Sequence, residues 1–230
     1  MIEKNTGPGK NKGPGNLKIL NLFSGIGCNR KLWNNSNNIT SIENNQKIAL
    51  LYHRLFPNDK IIITNAYDYL LDNYEKYDFI WSSPPCFSHS FCNNFLHAQG
   101  IKRYPDLKLY ELIIFLKKFC NYNKKNIKWI VENVKPYYIP LINPNFILER
   151  HYFWSNINIK STEYKLSKFN ILNSKPNLKK TNQQLLESLE KYHNIYFSKE
   201  LKKEFGKEFI LSCLKKGLNA NLGKFIISHI

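Results

Sequence analysis

The chain has 230 residues, 43 % hydrophobic and 14 % aromatic, which is enough to bury the core of one ordinary domain and too apolar for a disordered chain. Its 34 Lys and Arg outweigh 17 Asp and Glu, for a formal net charge of +17, so a polyanion, nucleic acid first, is the expected partner; AT-rich codon usage also contributes to the Lys and Asn content. Five cysteines without framework or zinc spacing, no signal-peptide-like start and no run near the ~20 apolar residues of a membrane span argue against a disulfide scaffold, a structural metal and a membrane protein.

The first 16 residues, with Gly-Pro-Gly twice and almost nothing apolar, read as a flexible basic leader. LKILNLF (17–23) is a strand, and IGCNRKLWNN after it reads as a helix. ITSIENN (39–45) is a second strand and QKIALLYHRLF (46–56) a helix with apolar residues at helical spacing. KIIITNA (60–66) and YDFIWSS (77–83) are the third and fourth strands; LKLYELIIFLKKF (107–119) is a helix and IKWIVEN (127–133) a fifth strand. Nearly all-apolar strands alternating with helices predict an α/β fold, a mostly parallel sheet covered on both faces. Ligands of such sheets bind beyond the carboxyl ends of the strands.

Those ends carry distinctive residues. After the first strand, Phe23-Ser24-Gly25-Ile26-Gly27 gives a tight turn that lets backbone approach a ligand. A dinucleotide fingerprint would need a third glycine where Arg30 stands, which argues against NAD. Glu43 and Asn44 follow the second strand, at a spacing suited to ribose hydroxyls, and Asp68 follows the third. Each acid alone is equally well a turn or helix-start residue.

After the fourth strand comes Ser83-Pro84-Pro85-Cys86, a rigid mount for a thiol. Cys28, Cys120 and Cys213 read instead as buried fillers. A Cys86–His89 pairing is the weaker reading, because FSHSFCNNFLHAQG (87–100) is rich in Ser, Asn and Gly and reads as a mobile loop. Glu132-Asn133-Val134 ends the fifth strand, where partial desolvation helps a carboxylate hold a proton.

Side by side, these strand ends resemble the cytosine-5 DNA methyltransferases. LNLFSGIG is similar to the family's cofactor loop, SIENN to its ribose-binding acid, NAYD to its adenine-binding carboxylate, SSPPC to its Pro-Cys nucleophile and VENV to its Glu-Asn-Val motif. LERHYFW resembles the arginine motif with Arg150 in place, and GLNANLG is a degraded likeness of the last cofactor motif, with Asn219 matching. The departures are Phe87 where Gln is frequent, Leu148 where a second arginine is usual, and only residues 157–216 for a recognition region that often exceeds a hundred residues.

The resemblance implies a Rossmann-like methyltransferase fold with a small recognition appendage, divided as 17–156 catalytic and cofactor-binding, 157–216 a reduced target-recognition region and 217–230 packing back on the catalytic part. It implies S-adenosyl-L-methionine held by Phe23, Ser24, Gly25, Ile26, Gly27, Glu43, Asn44, Asp68, Pro84 and Asn219. Cys86 would attack carbon 6 of a flipped cytosine, Glu132 would serve ring N3, Arg150 would hold O2 and Asn133 would fix Glu132. Ser88, Ser90 and the loop through Arg103 would meet substrate, and the Lys-rich 167–184 would either track phosphates or be a solvated face.

The expected setting is a cytoplasmic monomer acting on double-stranded DNA without metal, with room for a separate recognition subunit or a cognate restriction enzyme. An RNA cytosine-5 methyltransferase and a catalytically silent nucleic-acid-binding relative stay open. An amino-methyltransferase is disfavoured, since it normally places an aromatic residue where Cys86 stands.

Overall fold

Five apolar runs become parallel strands: β1 (Lys18–Leu22), β2 (Asn38–Glu43), β3 (Lys60–Ile63), β4 (Phe79–Ser82) and β5 (Lys128–Val134). A hairpin of β6 (Phe146–Leu148) and β7 (His151–Ser155) completes one sheet in the order β3-β2-β1-β4-β5-β7-β6, with β7 antiparallel to β5. This is the mostly parallel, Rossmann-like α/β sheet that the sequence predicts. The computed structural model describes residues 16–35, 37–122, 126–164 and 181–230. Apart from Asn16, the predicted leader lies outside the described residues, as does 167–180 of the Lys-rich stretch.

Strand alternation sorts the core into two faces. Leu20, Ile80 and Val131 point to one, which α2 (Ala66–Asn73) and α4 (Lys108–Tyr122) cover through Leu70, Leu112, Ile113 and Leu116. Ile19, Phe79, Trp81 and Ile130 point to the other, closed by Trp33 and by Leu222 and Ile226 of α8 (Ala220–Ile227). A third cluster joins Leu51 of α1 (Gln46–Leu55) and Ile26 and Cys28 after β1 to α5 (Asn182–His193), α6 (Lys199–Phe205) and α7 (Lys207–Lys216). Their starts follow capping chemistry: Thr181 and Gln184 form a reciprocal box at α5, and Ser198 Oγ accepts from Leu201 N–H at α6.

The helix expected at 26–35 is absent. Gly25 and Gly27 hold φ of +53° and +79°, and the chain continues in three-residue turns, with Gly27 N–H donating to Ser24 O, Arg30 N–H to Gly27 O and Trp33 N–H to Arg30 O. Tertiary contacts fix this path. The Arg30 guanidinium, 4 % exposed, donates to both oxygens of Asp59 at 2.8 and 2.9 Å. Tyr52 OH also donates to Asp59, at 2.7 Å, and Ser41 Oγ donates to Tyr52 OH at 2.7 Å. A Cβ at Gly223 of α8 would stand 2.1 Å from the Asn29 carbonyl oxygen, so the glycine lets that helix lie directly on the turns.

Removing one partner of a buried ion pair leaves the other charge unpaired. Asp59→Ala is expected to cost about 3–5 kcal/mol, read as a lowered denaturant midpoint with an unchanged slope, whereas Arg54→Ala, which breaks an exposed pair with Glu204, changes stability by less than about 1 kcal/mol.

Candidate active site

Cys86 follows β4 at the carboxyl edge, in the middle of the sheet. Pro84 is buried, and its carbonyl accepts from Asn133 Nδ2 (3.1 Å) at the end of β5, so neighbouring strand ends clamp the proline loop. The Asn133 side chain, 1 % exposed, also accepts from Val134 N–H at 3.0 Å. Beyond the thiol, the N–H groups of His89 and Ser90 both donate to the Cys86 carbonyl at 3.0 Å. The backbone on either side of the thiol is therefore tied, while the residue itself is half-buried.

Three other charged side chains act on this sulfur. Burial and then the Glu132 carboxylate push the Cys86 thiol above the usual cysteine range, and the Arg150 and Lys216 cations pull it back. The structure thus brings Cys86, Glu132 and Arg150 into one electrostatic neighbourhood and adds Lys216 from the end of α7. Glu132, 7 % exposed, has its Oε1 2.6 Å from Nδ1 of the equally buried His151 on β7. Arg150 is exposed in the two-residue turn between β6 and β7, where Glu149 takes a left-handed φ of 54°. Glu149 in turn accepts from Tyr164 OH at 3.1 Å and from Tyr192 OH of α5 at 3.4 Å. Asn133, expected to steady Glu132, bonds the proline loop through Nδ2 and Val134 N–H through Oδ1; His151 is the side chain on Glu132.

His151 and Lys216 escaped sequence reasoning. The signal for His151 was present: it pairs across the ladder with Val134, two residues beyond Glu132 and on the same strand face. Reading it required knowing that β5 and β7 are neighbours. For Lys216 nothing local distinguishes it from the other lysines of its helix.

The first three strand ends form a second cluster. Glu43 accepts from Gly25 N–H through Oε2 (3.1 Å) and from Asn45 N–H through Oε1 (2.9 Å). Phe23, at φ 54°, stacks edge-on to Tyr67 at 5.1 Å. Nothing lies within 4 Å of a Cβ built on Gly25, whereas one on Gly27 would meet the rings of Phe56 and Tyr52 at 2.5 and 2.7 Å. Gly25 therefore faces open space, and Gly27 serves core packing. Ile26 is buried in the α5–α7 cluster and Asn44 is exposed.

Asp68 is exposed in the first turn of α2, and Asn65, capping that helix through Tyr67 N–H (2.8 Å), stands nearer the end of β3. Asn219 caps α8 by accepting from Asn221 N–H (2.7 Å) and donates to the Tyr192 carbonyl (3.3 Å). The buried hydroxyls of Ser24 and Ser82, at the ends of β1 and β4, have no hydrogen-bond partner among the described residues. Orphaned hydroxyls, an open glycine and a fixed carboxylate suit a polar ligand with hydroxyl groups at this edge.

Residues 87–100, expected as a mobile loop, contain α3 (Asn93–Ala98) and belong to a folded lobe that runs to residue 107 and has polar groups inside. Asn93, 2 % exposed, donates to the Phe87 carbonyl and accepts from Arg103 Nη1, both at 3.0 Å. Ser88 Oγ accepts from Asp106 N–H (3.1 Å), Ser90 Oγ from Cys92 N–H (3.3 Å) and the Arg103 carbonyl from Tyr137 OH (2.6 Å). His89 bonds through Nδ1 to Tyr138 OH at 2.7 Å, and burial lowers its pKa. It anchors the lobe and forms no dyad with Cys86. Burial raises the remaining core thiols, Cys120 to about 12, in keeping with inert fillers.

Among the described residues, no three His, Cys, Asp or Glu side chains cluster to hold a metal, and no helix is long and apolar enough to cross a membrane.

No family model and no curated protein matches the chain. Solved structures that are similar in part include the Entamoeba histolytica methyltransferase EhMeth (16 % identity over 53 % of this chain and 39 % of that one, TM-score 0.35). A SAM-dependent methyltransferase from Agrobacterium tumefaciens (16 %, 52 % and 39 %, 0.34) and a mutant of Spodoptera frugiperda DNMT2 (24 %, 52 % and 36 %, 0.36) are similar to the same degree. The chain spans less than two fifths of the length of each. Likeness of this size transfers no activity, and the fold rests on the chain's own strand order.

The charges around Cys86 make a signed prediction. Its alkylation by iodoacetamide should rise with pH later than that of an ordinary thiol. Glu132→Gln, by removing a negative charge, should bring the midpoint down, and Lys216→Ala should move it up. Mass spectrometry of the Cys86 peptide across a pH series reads both shifts.

Proposed function

We propose that the chain is an S-adenosyl-L-methionine-dependent methyltransferase acting on carbon 5 of cytosine in DNA. The observation that carries this reading is a thiol held on a loop clamped between β4 and β5, at the carboxyl edge, where the charges of Glu132 and Arg150 both bear on it. Binding a base requires none of these groups to share a site, whereas covalent activation of a cytosine uses all three.

Cys86 sulfur bonds to carbon 6, which turns carbon 5 into an enamine nucleophile. The thiol proton lost and the proton gained at ring N3 balance, and Glu132, whose charge bears on the thiol, is the group to carry it. His151 holds Oε1, which leaves Oε2 for the base, and Arg150 supplies positive charge where O2 becomes electron-rich. S-adenosyl-L-methionine, when bound, supplies an electrophilic methyl group. Glu43 would accept its ribose hydroxyls, Phe23 would lie against its adenine, and Ser24, Gly25 and Ser82 would line its approach. Loss of the carbon 5 proton to solvent water then expels Cys86 as thiolate, which recovers its proton from N3 through Glu132. In duplex DNA the target cytosine has to leave the stack to reach Cys86.

The test is conversion sequencing of genomic DNA from a methylation-free bacterial strain that expresses the chain, with Cys86→Ser as control. Methylated cytosines within a short sequence motif, absent in the control, are expected. Unmodified DNA alongside methylated cytosine in RNA would replace the substrate, and unmodified DNA and RNA from folded protein would sink the reading. His151→Ala is expected to lower kcat by about 10²-fold, the scale on which a misplaced catalytic group costs rate, while leaving cofactor binding by calorimetry unchanged.

A further inference from the structure

The lobe after Cys86 is built inside out. The Phe87 carbonyl and the Arg103 guanidinium turn inward onto Asn93, while Phe87, Phe91, Phe95, Ile101, Tyr104 and Leu107 are 52–74 % exposed. Scattered exposed apolar residues are ordinary, but six large ones within 21 residues, on a segment that buries the polar side chains of His89 and Asn93, are an unusual concentration. Three cations, Lys102, Arg103 and Lys108, stand among them against one acid, Asp106. The carbon of the Arg103 guanidinium sits 3.5 Å from the centroid of the ring of Phe87, the residue after Cys86.

We propose that this face binds a nucleic-acid strand whose bases are unpaired on either side of the target cytosine, stacking them on the exposed rings. The inference rests on the cytosine-5 reading above and narrows its substrate, from duplex DNA with one flipped base to an unpaired stretch. Charge and ring chemistry select this occupant. A paired duplex offers its phosphates and groove edges outward and keeps its base faces stacked on one another. Flat aromatic side chains beside cations match an unpaired strand, whose base faces are free to stack while its phosphates meet Lys and Arg. An apolar protein partner would gain nothing from the guanidinium laid on Phe87 or from the excess of cations. The lobe also continues directly into the site: Phe87 follows the thiol in sequence, and Ser88 ties Asp106 at the far end of the lobe back beside it.

The test is fluorescence anisotropy with a labelled cytosine-containing DNA strand and with the blunt duplex made from it, at two salt concentrations. The protein is the full chain carrying Cys86→Ser, so that binding is read apart from the reaction. A second protein adds Phe91→Ala, Phe95→Ala and Tyr104→Ala. These side chains are exposed, so its melting temperature should match that of the parent. The expected result is a single strand bound at least tenfold more tightly than the duplex, with that preference lost in the triple variant while the salt dependence of the remaining binding persists. Equal or tighter binding of duplex, with the triple variant unchanged, would overturn the proposal. So would indifference to both DNAs together with a change in oligomeric state on removing the rings, which would assign the face to protein. Because Cys86→Ser has no chemistry, absence of strand preference in that parent protein refutes this inference alone. Absence of methylation in cells, with strand preference intact, refutes the reaction alone.

Discussion

Asp59 bears much of what organises this molecule. Its buried carboxylate receives two bonds from Arg30 and one from Tyr52, and Tyr52 is joined through Ser41 to Asn21 and Asn29. That polar chain runs under the turns following β1, whose own backbone bonds close three-residue turns rather than an α-helical ladder. On those turns depend the place of Gly25 beside Glu43, the burial of Ile26 and Cys28 against α5–α7, and the seat of α8 on the Asn29 carbonyl. A low-dielectric setting strengthens such a network when every member is satisfied and makes any single loss costly.

The other half of the candidate site is held differently. Its parts are strand ends joined crosswise: Asn133 of β5 to the Pro84 carbonyl after β4, and Glu132 of β5 to His151 of β7. Adjacent residues of one strand thus serve two tasks, one fixing the thiol's mount and the other presenting a carboxylate. The antiparallel hairpin matters here because only a reversed strand returns His151 and Arg150 to the carboxyl edge, where a further parallel strand would bring them to the opposite end.

The parallel part of the sheet was legible because each of its strands is buried on both faces and so reads as a continuous apolar run. The strand-end residues were legible for the same reason, since an acid, a glycine pair or a Pro-Pro-Cys stands out against such runs. The hairpin was not, because FILERHYFWS has the composition of an ordinary amphipathic segment and its pairing is set by a turn at Glu149 with a left-handed backbone. The turns at 26–35 defeated local reading because helical periodicity there reflects burial against α8 and α5–α7, contacts from residues over 150 positions away. The segment 87–100 misled through composition. Ser, Asn and His usually mark solvent-exposed loops, and here Asn93 and His89 are interior residues.

One consequence of the third hydrophobic cluster concerns exchange of parts. Ile26, Cys28 and Leu51 belong to the first strand-end loop and to α1, yet they share one apolar interior with Leu186, Leu189, Ile210 and Leu214 of α5 and α7. A bond from Tyr192 to Glu149 carries the same union to the residue beside Arg150. The helices of 182–216 are therefore structural walls of the body they adjoin. Grafting a foreign segment in their place would strip the wall from the glycine loop, so whatever selectivity these helices carry has to change by surface substitution rather than by transplanting a cassette.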